Sequence, residues 1–174
     1  MSIKKILDEF SRGEPEHPHR AGGDRDDETA RIERLQRRLN ACFADIILPA
    51  VFDVESDLNQ AGYWNRLSIG QSTSPASGKP DIKDVSLFFY PERTDRFSYD
   101  PATIDTTYKA HIRASGNLRE IIFSIHFPQR IPPVVEFDDE SLNVEVIDAT
   151  RVDLFLEKFV KGALDAYNSD RMLR

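Results

Sequence analysis

From Glu28 to Ala61 apolar residues return at three- and four-residue intervals, the period of an α-helix. Ile32, Leu35, Leu39, Cys42, Phe43, Ile46, Ile47, Ala50, Val54, Leu58 and Ala61 make one slowly drifting stripe. Ala41, Ala44, Leu48 and Phe52 fall on other faces, chiefly the opposite one, which leaves the middle of the helix apolar on two sides. Asp26 and Asp27 precede it as caps, Gly62 stops it, and Pro49 is expected to kink it or divide it in two. At ~1.5 Å per residue this helix approaches 50 Å. It outruns the strands that follow, and a surface beyond the sheet is needed to cover it.

The later pattern alternates instead. Leu67 and Ile69 mark a short strand, and Val85, Leu87 and Phe89 point opposite to Ser86, Phe88 and Tyr90. The runs 107–115 and 118–127 flank Gly116-Asn117, which predicts a hairpin with a two-residue turn. That register sets Ile112 against Ile121, Ala110 against Phe123 and Tyr108 against Ile125, with Arg113 opposite Glu120 and Lys109 opposite Ser124. Val135 and Phe137 are expected to pair with Val144 and Leu142. A closing helix is predicted from Thr150, capped by Thr150 and Asp153, with Val152, Phe155, Leu156, Phe159, Val160, Ala163, Leu164 and Tyr167 on one face. The fold class is α+β: a long N-terminal helix, an antiparallel meander of five or six strands and a C-terminal covering helix.

Ahead of the long helix, Ile3, Ile6, Leu7 and Phe10 predict a short amphipathic helix over residues 1–12. Residues 13–27 are rich in Gly, Pro and charge, lack any large apolar side chain, and read as a flexible linker. Residues 28–174 then form a single domain.

Composition narrows the functional classes. With 40% hydrophobic residues in 174, one real core is affordable. A net charge of −7 opposes general binding to nucleic acid or to an anionic membrane. No run approaches the ~18 apolar residues of a membrane span. Residues 1–10 lack the apolar region of a secretory signal, and a cytoplasmic location is expected. The single cysteine, Cys42, sits on the apolar stripe as a buried, inert thiol.

Candidate chemistry is sparse. No phosphate loop, paired-cysteine motif, zinc-protease motif or nucleophile elbow occurs, and no catalytic residue, metal or cofactor is assigned. His17 and His19 stand in the linker without further ligands. In the expected register His126 lies opposite Thr107, roughly 13 Å from His111 at ~3.3 Å per residue, too far for the two to share an ion. Residues 127–137 are similar to the Tyr-Pro-x-x-Pro-Pro segment of ubiquitin-conjugating enzymes, but no cysteine follows them and conjugation is not expected.

Two readings follow. The first is a non-enzymatic intracellular interaction module, an adaptor or chaperone-like subunit, binding a protein partner or a second copy of itself. Its surface would be Ala44, Leu48 and Phe52 with Arg31, Arg34 and Arg38. The second is a small-molecule-binding or enzymatic domain using the open sheet face at Phe88, Tyr90, His111 and His126.

Overall fold

In the computed structural model of the chain, the long helix changes pitch just before Pro49. The structure describes residues 22–73, 80–93, 107–128 and 140–172. Helix α1 spans Gly22–Cys42, a π turn covers Phe43–Ile47, and helix α2 spans Leu48–Gln60. Pro49 has no N–H to return to the Asp45 carbonyl, and its ring crowds the preceding turn. The wider π turn absorbs this, with the Leu48 N–H donating to the Phe43 carbonyl. Ile47 and Leu48 keep helical φ/ψ values of −73°/−51° and −60°/−45°, and the chain does not leave the helix at Pro49. The change of pitch also turns the buried stripe. Val51, outside the expected stripe, is fully buried, whereas Ala61 is exposed.

The chain divides into two compact units, Met1–Arg31 and Ile32–Arg174. Helix α1 begins at Gly22, within the stretch expected to be a linker. Asp26 and Asp27, expected to precede the helix as caps, therefore lie inside it, in its second turn. In the first unit Arg31 lies 3.5 Å from Glu28. The helix expected over residues 1–12 lies outside the described residues. The sheet, α2 and the C-terminal helix belong to the second unit.

Five antiparallel strands follow in meander order: β1 Tyr63–Thr73, β2 Pro80–Arg93, β3 Tyr108–Ala114, β4 Glu120–His126 and β5 Glu140–Asn143. A 3-10 turn, Val144–Val146, leads into helix α3, Ala149–Met172. This is the α+β layout that the alternation predicts. Val85, Leu87, Phe89, Ala110, Ile112, Ile121, Phe123 and Ile125 turn to one face and are buried against the helices. Phe43, Ile47 and Val51 meet them from the long helix, and Val152, Leu156, Phe159 and Ala163 from α3. Each Val, Leu, Ile or Phe among them contributes roughly 1.5–3 kcal/mol by leaving water. Phe159 adds an edge-on contact to Phe89, with centroids 6.2 Å apart.

Local chemistry at two places differs from expectation. The start of α3 is capped by Asp148, whose Oδ1 accepts the Arg151 N–H at 2.9 Å, and Thr150 lies inside the helix. Leu142 pairs with Ile121 of β4; residues 129–139, with Val135 and Phe137, lie outside the described residues.

The second difference is the β3–β4 register. Ile112 pairs with Phe123, Ala110 with Ile125, Arg113 with Ile122 and Lys109 with His126. The hairpin closes through a longer loop, in which the Ser115 N–H donates to the Glu120 carbonyl at 2.9 Å. Leu118 takes a positive φ of 58°, while Asn117 Oδ1 accepts the Arg119 N–H at 2.9 Å. That side-chain bond favours an Asx-type turn over the tight Gly-Asn turn. The shift is two residues, an even number, so every side chain keeps its face while its neighbours change.

Candidate functional site on the second sheet face

Away from the core, strand pairing lays side chains in rows across the sheet. One row runs Arg66, Phe88, Lys109, His126, and the next Ser68, Ser86, His111, Ser124. A third places Gly70, Asp84, Arg113 and Ile122 side by side. Lys109 Nζ lies 5.5 Å from the centroid of the Phe88 ring, a cation–π distance. His111 and His126 take diagonal positions, and their ring centroids are 6.5 Å apart. The 13 Å separation expected from the tight turn is thereby overturned. The longer loop sets His126 opposite Lys109, one step from His111 along the same face.

His111 is the most constrained member. Its Nε2 lies 3.7 Å from Asp84 Oδ1, beyond hydrogen-bond reach but close enough to feel the charge. Burial holds its imidazole below the ordinary value of 6.5, and Lys109 pushes the same way. Asp84 opposes that shift; His126 and Arg113 add smaller repulsions. Ser86 and Ser124 flank His111 in its row, but they are 4% and 3% exposed. Neither presents a hydroxyl to an incoming substrate. Asp84 itself lies over Gly70, where a β-carbon would sit 2.7 Å from its Cγ. The absence of a side chain at position 70 therefore makes room for the carboxylate.

Beside this row a cleft of about 350 Å³ opens against the β3–β4 turn, with Lys83, Asp84, His111, Arg113 and Gly116 among its walls. A second groove of about 470 Å³ lies between β4, β5 and α3, over Phe123, Leu142 and Phe155, with Leu154 exposed at its rim.

No family model, curated protein or solved structure matches the chain.

Of the four residues expected on the sheet face, Phe88, His111 and His126 come together. Tyr90 stands apart, its ring packed edge-on against Tyr167 of α3 with centroids 5.7 Å apart. The proposed helix surface is less coherent. Ala44 is exposed and Phe52 is 46% exposed, but Leu48 is half-buried against the core. Arg38 donates to Glu145 Oε1 at 2.7 Å, tying α1 to the turn after β5. Arg31 and Arg34 are exposed. Cys42 is buried, and desolvation pushes its thiol up to about 11. Among the described residues no group of three or more His, Cys, Asp or Glu is arranged to hold a metal ion, and no helix is long and apolar enough to cross a membrane.

Sequence reasoning missed Lys83, Asp84, Lys109 and Arg113 as members of the site. Face parity alone assigns Lys109 and Arg113 to the side of His111. Lys83 had no such signal. It enters through a register shift opposite Gly70 and Gln71, where strand alternation fails.

Proposed function

We propose that this chain is a binding domain that takes a small ligand on the second face of its sheet, around Phe88, Lys109, His111 and His126. One observation carries the reading: an aromatic ring, two imidazoles and an ammonium group converge on one patch of a rigid sheet. Such a set offers stacking, cation and hydrogen-bond donor groups at fixed spacing, which is what orientation of a small ligand requires. Binding is favoured over catalysis because the hydroxyls nearest His111 in register are buried.

Chemical-shift mapping with small aromatic and charged fragments tests it. Saturable shifts clustered at Phe88, His111 and His126, lost in Phe88→Ala, support the reading. Shifts confined to α2, or none at millimolar concentration, overturn it.

A second reading, an interaction module working through the helix, retains one favourable observation: Phe52 is 46% exposed, on a helix whose other face is core. Light scattering after size exclusion separates the two. A dimer that dissociates on Phe52→Glu supports self-association, and a monomer at micromolar concentration removes it.

A further inference from the structure

We propose that the cleft beside the β3–β4 turn binds the oxyanion group, phosphate or carboxylate, of that small ligand. This inference rests on the sheet-face reading and extends it to the ligand's chemistry.

Two cations meet at the cleft, Lys83 from β2 and Arg113 from β3. Neither has an ion-pair or hydrogen-bond partner among the described residues. In a chain with 30 acidic and 23 basic residues, counter-charge is plentiful, and Arg31 and Arg38 both use it. The strand register even sets a carboxylate opposite Arg113, since Asp84 is its partner in β2. That carboxylate lies over Gly70 on the β1 side and faces His111 instead. Asp84 is one wall of the cleft, yet its carboxylate makes no ion pair with the guanidinium, which is left open to an external anion.

What remains suits an external anion. The guanidinium is a planar fork that matches two oxygens of a carboxylate or phosphate, and the Lys83 ammonium adds a mobile point charge. Gly116, on the cleft wall, has nothing within 4 Å of where a β-carbon would be, so a ligand has room beside the turn backbone. A volume of about 350 Å³ fits a small molecule. A nucleic acid would need an extended basic surface, which a net charge of −7 opposes.

The test is an NMR titration of the full chain with sodium phosphate and, separately, sodium acetate, each against sodium chloride at matched ionic strength. The expected result is saturable movement of the Lys83, Asp84, Arg113 and Gly116 amides with one or both oxyanions. The responding salt identifies the group as phosphate or carboxylate. Arg113→Gln and Lys83→Gln should each weaken binding at least about tenfold, the loss of one charge-assisted contact, with melting temperature unchanged. Shifts reproduced by chloride, or affinity unaltered in both variants, overturn the proposal. If aromatic fragments still move Phe88 and His126 while neither oxyanion moves Lys83 or Arg113, the anion site falls and the sheet-face reading stands. If neither responds, both fall.

Discussion

Gly70 and Asp84 are paired across β1 and β2, and the carboxylate of one occupies the space left by the missing side chain of the other. The contact decides where the charge of Asp84 acts. Directed toward His111 Nε2 at 3.7 Å, it supports a protonated imidazole there and leaves Arg113 unpaired.

Replacing Gly70 by Ala should displace the carboxylate, because a methyl group would overlap its Cγ and both oxygens. The His111 titration midpoint, followed by its ring-proton shifts, is expected to fall in Gly70→Ala as it does in Asp84→Asn. Both changes remove the one contact that raises it. An unchanged midpoint in Gly70→Ala would mean that the carboxylate reorients without losing His111.

The pH dependence of stability follows from the same ring. His111 is held below 6.5 by burial first, then by Lys109, with His126 and Arg113 adding and Asp84 opposing. The unfolded state therefore binds more protons than the folded state in this range. The favourable contribution is complete above pH 6.5 and is lost as pH falls from there through the folded-state value. His111→Gln should flatten that part of the melting-temperature profile. An unchanged slope assigns the acid sensitivity to other groups.

Cys42 offers a simple check on packing. A thiol pushed up to about 11 and 5% exposed should resist a disulfide reagent at pH 8 in the native protein. It should react fully in denaturant. Rapid native labelling would contradict the buried helix face.

Phe159 is the most telling core position. It is fully buried between α3 and the sheet and meets Phe89 edge-on. Phe159→Ala should cost about 3–5 kcal/mol in denaturant unfolding, by lost transfer energy and the cavity left behind. By contrast the Arg38–Glu145 pair, with both side chains more than half exposed, should give about 0–1 kcal/mol in a double-mutant cycle.

The hairpin register can be read directly by NMR. Cross-strand Hα contacts are expected between Ile112 and Phe123 and between Ala110 and Ile125. Contacts between Ile112 and Ile121 would restore the tighter turn and separate the two histidines.

The order of apolar and polar residues is enough to settle which side of each element faces the core. Strand alternation sorted Val85, Leu87 and Phe89 from Ser86 and Phe88, and the helical period of the C-terminal segment marked Val152, Leu156 and Phe159. Burial of apolar surface enforces those periods, so they are written in the residues. It could not choose between registers that differ by two residues, because both keep the same faces inward. That choice belonged to the Asn117 side chain and the positive φ of Leu118, together with pairing to β2 on the other side of β3. The same limit applied on the long helix, where Leu48 reads as surplus until the π turn before Pro49 brings it against the core. The site was thus half legible. His111, His126 and Phe88 were visible as one face, while their proximity, and the company of Lys83, Asp84 and Arg113, were set by a register that only the packed sheet decides.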